Sequence, residues 1–557
     1  MNNYITVILM IILSLQSCNN DSYDKIDAKA MVVSAHPLAS DVGIAVLKKG
    51  GNAADATIAV QFALAVVYPS AGNIGGGGFF VYRSNKGNYS TLDYREKAPL
   101  IAYRDMYLDS NNKVIKNSSL YSHKAVGVPG TVDGMVEIHQ KYGNLKWEEL
   151  VQPSINLAEN GFVVTSRESK KLNRFNANHN VSDFYNPYYK DQFKEGDTIK
   201  LPDLAQTLKF IRDYKREGFY SGKVAENLIT EMKNNEGFIT ENDLKSYRSI
   251  WREPIIGNYK NYKVISMGPP SSGGVLLMQM LKMAEQFPLK KYKFHSKESI
   301  HIMTEIERRS FADRAKHFGD PDFYDVPISE LLDSSYLQTR ANNIDLNIAT
   351  PSDNIYAGSW NASESDETTH FSIVDQYGNA SSVTTTLNGS FGSGIVVKNS
   401  GFLLNNEMDD FSIKPGHPNM YGLIGGEANS ITPEKRMLSS MTPTILEKNG
   451  QLFMIVGTPG GSTIISAVFQ VILNVIEYGM SIEESVNASR FHHQWYPDEI
   501  KLEKVISKDS SLIRELQSLN HRLNFVNSMN RVDAILIENH QLFGGADNRG
   551  DDHISFF

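Results

Sequence analysis

Thr368 occupies a position in this sequence that suits nucleophilic catalysis. It follows residues 341–367, which are rich in Asn, Ser, Asp and Gly, and it opens a run with the alternation of a β-strand. If the bond between Glu367 and Thr368 were cut, the Thr368 hydroxyl would lie beside a free α-amine, which can act as its general base. The alternative is an ordinary strand threonine, so the interpretation depends on the neighbouring residues.

A second predicted strand follows the first after a turn at residues 375–379. Side chains alternate along a strand, so Thr384, Thr386 and Asn388 fall on one face. We expect Thr386 and Asn388 to point toward the start of the neighbouring strand, where Thr368 lies. Threonine is also common in strands that have no catalytic role.

Gly460 and Gly461 supply a third feature of an acyl-transfer site. They lie between a predicted strand at residues 452–456 and an apolar helix that reaches residue 478. Backbone N–H groups at a helix start lack intrahelical acceptors and lie in a favourable dipole field, so they can stabilise an oxyanion. We predict Ser462 as the helix N-cap. A phosphate site is the rival interpretation, but no Gly-Lys-Ser/Thr sequence follows.

The remaining patterns predict a mixed α and β protein that positions these residues. The predicted elements are helices at residues 37–49, 53–67 and 275–284, a hairpin at residues 79–82 and 89–94, and mainly helical structure over residues 130–250. Asn52 is the predicted N-cap of the second helix. We interpret residues 341–367 as an exposed connector, because they show almost no periodicity.

Composition excludes several classes of protein and site. The 557 residues are 41% hydrophobic and carry a net charge of −8, so a folded globular protein without a nucleic-acid partner is expected. The single cysteine excludes an intramolecular disulfide, a zinc cysteine cluster and an iron–sulfur cluster. His492 and His493 have no evident third ligand, so the sequence favours a structural role for them over a metal site.

The N-terminus has the pattern of an export signal. Residues 4–15 form an apolar run that is shorter than the ~20 residues of a membrane-spanning helix. The segment Leu15-Gln16-Ser17-Cys18 resembles a bacterial lipobox, in which the cysteine is lipidated. We predict that residues 1–17 are a signal peptide and that Cys18 anchors an exported periplasmic or cell-envelope lipoprotein. The alternative is an ordinary cleaved signal and a soluble periplasmic protein.

Eight motifs in the chain resemble those of the γ-glutamyltransferase (γ-glutamyltranspeptidase) family. They are Asn73-Ile74-Gly75-Gly76-Gly77-Gly78-Phe79, Asp93-Tyr94-Arg95-Glu96, Pro269-Pro270-Ser271-Ser272-Gly273-Gly274, Thr368-Thr369-His370-Phe371-Ser372, Thr384-Thr385-Thr386-Leu387-Asn388, Asn405-Asn406-Glu407-Met408-Asp409-Asp410-Phe411, Leu438-Ser439-Ser440-Met441 and Pro459-Gly460-Gly461-Ser462. They occur in family order from about residue 30 to the C-terminus, so the resemblance is highly specific.

The resemblance implies an α+β fold, the four-layer αββα sandwich of N-terminal nucleophile hydrolases. A precursor of this type cuts itself before the threonine, which implies a large subunit of residues 18–367 and a small subunit of residues 368–557. Thr368 would be the nucleophile and Thr386 would orient it. Gly460 and Gly461 match the oxyanion-hole pair.

The implied activity is the cleavage of the γ-glutamyl amide of glutathione and other γ-glutamyl compounds. The γ-glutamyl ester on Thr368 would pass to water, an amino acid or a dipeptide. No metal or organic cofactor is implied, because the α-amine of Thr368 supplies the base.

The substrate's α-carboxylate and α-ammonium have separate partners in the resemblance. Arg95 would clamp the carboxylate, since a guanidinium matches its geometry, and Ser439 and Ser440 would donate hydroxyls. The residues matched to the ammonium site are Asn388, Glu407 and Asp410. Without the resemblance, a surface ion pair with Glu96 or Asp93 would be the simplest interpretation of Arg95, and a solvated loop that of residues 409–410.

Residues 415–426 correspond to a lid loop that some family members lack, with Tyr421 as its gate; a surface loop without a special role is the alternative. The sequence departs from the family at two positions of interest. Glu407 stands where several bacterial relatives have glutamine, and Ser381 occupies a strand position that is usually apolar.

Two other functions stay open. A related acylase, acting on glutaryl-type β-lactam side chains, would use Thr368 but would not need an ammonium pocket. A lipoprotein that only binds peptides or amino acids would remain a single chain.

Overall fold

The structure, a computed structural model, describes residues 28–178, 186–356 and 368–557 apart from Pro415, Pro418, Tyr421 and Ile424. The predicted signal peptide, Cys18, Glu367 and the predicted gate Tyr421 lie outside the described residues. Within the described ranges, no helix has both the length and the apolar character that crossing a bilayer requires.

Two antiparallel sheets lie at the centre of the molecule. The strands of the first sheet are, in spatial order, His553–Phe556, Met31–Ser34, Thr369–Val374, Ala380–Thr386, Gly77–Arg83, Tyr89–Asp93 and Ile250–Arg252. Those of the second sheet are Gln541–Ala546, Asp533–Glu538, Gln451–Gly457, Thr444–Lys448, Tyr262–Ser266 and Ile255–Tyr259. A small sheet of Phe491–His492, Ile500–Glu503 and Leu523–Val526 and a pair of Phe162–Val163 with Thr198–Ile199 lie outside them.

Helices cover the outer face of each central sheet. Pro37–Lys48 and Ala53–Val67 pack on the first sheet, and Gly273–Ala284, Thr463–Ile476 and Ile482–Asn487 pack on the second. The other helices are Ser118–Tyr121, Thr131–Tyr142, Trp147–Asn160, Ser166–Asn178, Pro202–Tyr214, Glu217–Tyr220, Gly222–Asn234, Glu241–Ser246, Lys297–His317, Ile328–Leu331, Ser334–Asn342 and Ser510–Ser518. The αββα sandwich expected from the sequence is therefore confirmed.

Apolar side chains fill the space between the two sheets and the space between the first sheet and its helices. Between the sheets, Val33 and Phe79 from the first meet Ile455 and Ile535 from the second. Outside the first sheet, every residue of the helix Ala53–Val67 is buried. The predicted cap of this helix is confirmed, because Asn52 and Asp55 form a reciprocal capping box.

The predicted connector at residues 341–367 is not simply exposed, because its described part is anchored. Ser352 is buried; its N–H donates to Asp498 Oδ2 at 2.9 Å, and its hydroxyl donates to the Trp495 carbonyl at 2.5 Å. The Ala349 N–H donates to the Leu519 carbonyl at 2.7 Å. The chain that leads toward Thr368 is therefore fixed to the C-terminal third of the molecule as far as Ser352. Composition alone did not predict these contacts, since their partners lie about 150 residues away.

Candidate active site

The register of two neighbouring strands brings Thr386 beside Thr368. Thr369 pairs with Thr385, and His370 pairs with Thr384, in the antiparallel ladder between Thr369–Val374 and Ala380–Thr386. Continuing this register by one residue sets Thr386 opposite Thr368. Side chains alternate along both strands, so the two residues face the same side of the sheet.

A small pocket at the ends of these strands contains most of the predicted site. Its lining residues are Arg95, Arg314, Thr368, Thr386, Asn388, Asp410, Leu423, Ser439, Ser440, Met441, Gly461 and Ile464. Glu407 and Gly460 lie directly behind it, Glu407 against Arg95 and Gly460 next to Gly461. Of the predicted site residues, only Tyr421 and Cys18 have no described position.

The Thr386 hydroxyl also shapes the turn that follows its strand. It accepts a hydrogen bond from the Asn388 N–H at 2.7 Å, and Asn388 has a left-handed backbone with φ 70°. The Asn388 side chain donates from Nδ2 to the Asn406 carbonyl at 2.9 Å. Asn388 thus leaves the strand alternation but still faces the pocket, where the alternation predicted it.

Arg95 is buried among carboxylates and does not form a surface ion pair. Its Nη1 lies 2.6 Å from Glu407 Oε2, and its Nη2 lies 2.5 Å from Asp410 Oδ2. Glu96 is farther away, with Oε2 3.7 Å from Arg95 Nη1. The predicted carboxylate clamp and two of the predicted ammonium acceptors are therefore ion-paired with each other in the free site.

Burial of these acids makes their ionisation costly. Burial raises the pKa of Glu96 to about 8, although Arg95 opposes the shift. The pKa of Glu407 is raised well above its ordinary range by burial, and that of Asp410 is raised by the same cause. Burial would lower the pKa of Arg95, but Glu407 and Asp410 raise it, so the guanidinium stays charged. The free cluster consequently retains a proton near neutral pH.

Ser439 and Ser440 face the pocket as hydrogen-bond donors. Ser439 Oγ accepts from the Met441 N–H at 3.2 Å, and Ser440 Oγ accepts from Arg314 Nη2 at 3.0 Å. Among the described residues, neither hydroxyl donates to a protein acceptor. Each O–H is thus available to an anionic group in the pocket.

Asp409 is buried and Asp410 is nearly buried, and each accepts a hydrogen bond from the predicted lid loop. Asp409 Oδ2 accepts from the Met420 N–H at 2.6 Å, and its Oδ1 accepts from the Ser119 hydroxyl at 2.6 Å. Asp410 Oδ1 accepts from Asn419 Nδ2 at 3.0 Å, while its Oδ2 contacts Arg95. Both acids therefore hold the described part of the predicted lid loop over the pocket.

The turn between the strand Gln451–Gly457 and the helix Thr463–Ile476 has an unusual backbone. Gly460 has φ 134° and Gly461 has φ 53°, both unfavourable for residues with a Cβ. Asn530 supports the turn, because its Nδ2 donates to the Pro459 carbonyl at 2.7 Å. Within the described part of the chain, the N–H groups of Gly460 and Gly461 have no hydrogen-bond acceptor. They are free to bind an oxyanion.

Ser462 is the N-cap residue of the helix, as predicted, but its side chain does not cap the helix. Its backbone is helical, and its side chain makes no capping hydrogen bond. Its hydroxyl donates to Gln494 Oε1 at 3.0 Å. Thr463 Oγ1 donates instead to the Gly460 carbonyl at 2.6 Å, which closes the glycine turn.

His492 and His493 are buried and hydrogen-bonded inside the protein. Nδ1 of His492 contacts Ser466 Oγ at 2.8 Å, and Nδ1 of His493 accepts from the Trp495 N–H at 3.1 Å. Burial lowers the pKa of both imidazoles. Across the ranges that the structure describes, no group of three or more His, Cys, Asp or Glu side chains is arranged to hold a metal ion.

Sequence reasoning missed Arg314 in this site. It lies on the helix Lys297–His317, is 4% exposed, and lines the pocket together with Thr368. An arginine within a polar helical stretch gives no signal of its own, because its partners are brought to it only by the tertiary fold.

Comparison with known proteins finds similar chains over nearly the whole sequence. The sequence model of the family described as Gamma-glutamyltranspeptidase matches residues 39–557. A protein of Escherichia coli (strain K12) named Glutathione hydrolase proenzyme is 44% identical over 541 residues, 96% of this chain and 93% of that protein. The crystal structure of cephalosporin acylase from Bacillus halodurans matches with a TM-score of 0.83 and 26% identity, over 95% of this chain and 96% of that one. Helicobacter pylori γ-glutamyltranspeptidase matches with a TM-score of 0.56 and 42% identity, over 58% of this chain and 97% of that one.

Proposed function

This chain belongs to the γ-glutamyltranspeptidase family, and on that premise we propose that it is a γ-glutamyltransferase and glutathione hydrolase with Thr368 as its nucleophile. The observation that carries the proposal is a single pocket. Thr368 shares it with the glycine turn, whose N–H groups can bind an oxyanion, and with Arg95 and the carboxylates that are ion-paired to it. A γ-glutamyl group has a free α-carboxylate and a free α-ammonium, so it needs both kinds of partner.

The reaction begins with attack by Thr368. Its hydroxyl passes a proton to its own α-amine while Oγ adds to the carbonyl carbon of the γ-amide. The N–H groups of Gly460 and Gly461 stabilise the oxyanion that forms. The amine returns the proton to the departing nitrogen, so cysteinylglycine or another amine leaves. Water or the amine of an acceptor amino acid or dipeptide then attacks the γ-glutamyl ester by the same steps.

The free site already holds the charges that the substrate requires. On binding, the α-carboxylate takes the place of an acid beside Arg95 and receives the hydroxyls of Ser439 and Ser440. The α-ammonium replaces the guanidinium beside Glu407 and Asp410, with Asn388 completing its surroundings. A bound zwitterion thus replaces the ion pairs of Arg95 with Glu407 and Asp410 by ion pairs to the substrate, and no buried charge loses its partner.

Formation of the active enzyme requires cleavage between Glu367 and Thr368, into a large subunit of residues 18–367 and a small subunit of residues 368–557 that form a heterodimer. The name proenzyme carried by the Escherichia coli relative supports this step. Until cleavage the α-nitrogen of Thr368 is an amide and cannot act as a base.

A denaturing gel tests the nucleophile and the boundary together. Purified protein should give two bands, the smaller with an N-terminal Thr368 and, since 557 − 367 = 190, a length of 190 residues. Thr368→Ala should give one band and no hydrolysis of a γ-glutamyl anilide. A single wild-type band after prolonged incubation would favour a lipoprotein that only binds its ligand, and activity in Thr368→Ala would refute the assignment.

The acylase alternative is tested with matched anilides. Glutaryl anilide lacks the α-ammonium and leaves Glu407 and Asp410 without their ligand partner, so γ-glutamyl anilide should be strongly preferred. A preference for the glutaryl compound would support the acylase, which has a structural relative in the cephalosporin acylase match.

Export and lipid anchoring are also part of the proposal. Residues 1–17 are proposed as the signal and Cys18 as the acylated residue of an envelope protein. Radiolabelled palmitate should enter the wild-type protein in a bacterial host but not Cys18→Ala. A labelled Cys18→Ala, or an unlabelled wild type, would contradict the anchor.

A further inference from the structure

Arg314 connects two serine motifs at the wall of the pocket. Its Nε donates to Ser272 Oγ at 2.9 Å, and its Nη2 donates to Ser440 Oγ at 3.0 Å. Ser272 is itself fixed, because its hydroxyl donates to the Ser439 carbonyl at 2.8 Å. The guanidinium is thus held between the turn before the helix Gly273–Ala284 and the serine pair.

This arrangement determines which way the Ser440 hydroxyl can act. A serine oxygen accepts through its lone pairs and donates through one O–H. Arg314 occupies the acceptor side, and among the described residues the O–H of Ser440 has no protein acceptor. Ser440 is therefore held as a donor toward the pocket, and a second guanidinium charge lies behind it.

We infer that Arg314 is a positioning residue that makes the pocket selective for donors with an α-carboxylate, by orienting Ser440 as a hydroxyl donor and adding positive charge on that side. The inference rests on the proposed function and adds a second arginine to the predicted clamp Arg95. The charge of Arg314 also opposes the rise that burial causes in the pKa of Asp410, so its charge acts on the acids of the pocket.

The test compares three small acids as competitive inhibitors of γ-glutamyl anilide hydrolysis by the processed protein. L-Glutamate carries both α-groups, glutarate lacks the ammonium, and 4-aminobutanoate lacks the α-carboxylate. In Arg314→Gln the inhibition constants of L-glutamate and glutarate should rise about tenfold, the loss typical of a charge-assisted hydrogen bond. That of 4-aminobutanoate should stay within about twofold, since it presents nothing to Ser440.

Three further variants make the result specific. Arg314→Lys should recover part of the L-glutamate affinity, because it restores the charge without the guanidinium fork. Ser272→Ala should give a weaker effect with the same pattern, since Arg314 loses its Nε acceptor. Lys316→Gln, an exposed change on the same helix, should leave all three constants unchanged. If Arg314→Gln is not cleaved into two subunits, the inhibition constants of Arg314→Lys and Ser272→Ala decide the result.

Equal weakening of all three acids, or of none, would overturn the role assigned to Arg314. A different result would contradict the proposed function itself. If the wild-type protein bound L-glutamate no more tightly than 4-aminobutanoate, the pocket would not recognise the α-carboxylate, and Arg314 would have no such recognition to support. The two failures are thus distinguished within one set of measurements.

Discussion

Arg95 and Glu407 form a buried ion pair in which Nη1 lies 2.6 Å from Oε2, and neither side chain is more than 1% exposed. An ion pair at this depth contributes little net stability, because desolvation offsets most of the attraction. In the proposed function, the pair keeps a cation and an anion in the pocket for the two α-groups of the substrate. We expect the substrate to open this pair and to bind each half separately.

Binding of L-glutamate should release protons. Burial holds the pKa of Glu407 high and that of Glu96 at about 8, so the free cluster retains a proton at pH 7. An incoming ammonium lowers these pKa values, and the proton leaves. Affinity for L-glutamate should therefore rise with pH up to about 8. Calorimetry at pH 7, in buffers of different ionisation enthalpy, measures the number of protons released.

Glu407→Gln provides the comparison for this experiment. It removes one of the carboxyl groups that can hold a proton in the cluster, so fewer protons should be released on binding. Proton uptake by the wild type, or unchanged release in Glu407→Gln, would contradict the proposed exchange of partners.

Asp409 should make stability depend on pH in an unusual direction. Burial raises its pKa from 3.8 to about 6, so the folded state binds a proton that the unfolded state has lost. The contribution of Asp409 to the free energy of unfolding is fully present below pH 4. It decreases by roughly 3 kcal/mol as the pH rises through 6. The melting temperature of the wild type relative to Asp409→Asn, whose amide does not titrate, should fall between pH 4 and pH 6.

The same variant tests the anchoring of the loop. An asparagine cannot accept from both the Ser119 hydroxyl and the Met420 N–H through separate oxygens. Limited proteolysis should therefore cut residues 415–426 faster in Asp409→Asn. Asp105→Asn, an exposed change, serves as the control for both measurements. A wild-type melting temperature that stays constant or rises relative to that of Asp409→Asn between pH 4 and pH 6 would contradict the assignment.

Asn530 should affect the chemical step more than substrate binding. A Cβ on Gly460 would lie 2.0 Å from Asn530 Nδ2, so side chain and turn fit only because residue 460 is glycine. Asn530→Gly suits the positive φ of 60° but loses the bond to Pro459. We expect kcat to fall about tenfold as the oxyanion donors shift, with KM within about twofold.

Asn539→Gly is the matched control, because Asn539 is exposed and also has a positive φ. It should leave both constants unchanged. An increase in KM at constant kcat in Asn530→Gly would indicate a role in binding instead.

Local patterns predicted the strands and glycine turns of the site well. The side of the sheet that Thr386 faces follows from strand periodicity, and the donors of Gly461 follow from a strand, a glycine turn and a helix start. Asn388 reaches the same pocket through a left-handed backbone that periodicity did not predict. The inferences for Thr386 and Gly461 each use residues within about ten positions of one another. The cap at Asn52 succeeded for the same reason.

Contacts between distant segments could not be predicted in this way. Arg314 meets Ser440 across 126 positions, and Ser352 meets Asp498 across 146. The burial of Arg95 likewise depends on residues more than 300 positions later. Ser462 shows the limit even locally, because a tertiary partner, Gln494, takes the hydroxyl that would have capped its helix.

Ser381, a polar residue in a buried strand, has a hydrogen-bond partner that accounts for it. Its Oγ lies 2.8 Å from Thr57 Oγ1, whose hydroxyl donates to the Ala53 carbonyl at 2.8 Å. Thr57 has one hydrogen, so Ser381 must be the donor between them. Both residues are 0% exposed, and the pair joins the helix Ala53–Val67 to the strand Ala380–Thr386.

The two single substitutions should therefore have unequal effects on the free energy of unfolding. Ser381→Ala should cost about 1 kcal/mol, because Thr57 keeps its bond to the Ala53 carbonyl. Thr57→Val should cost about 1–3 kcal/mol, because it leaves the Ser381 hydroxyl buried without an acceptor. The double variant should be no less stable than Thr57→Val alone, since no unpaired hydroxyl remains. Losses in denaturant unfolding that simply add would show that the two hydroxyls are not coupled.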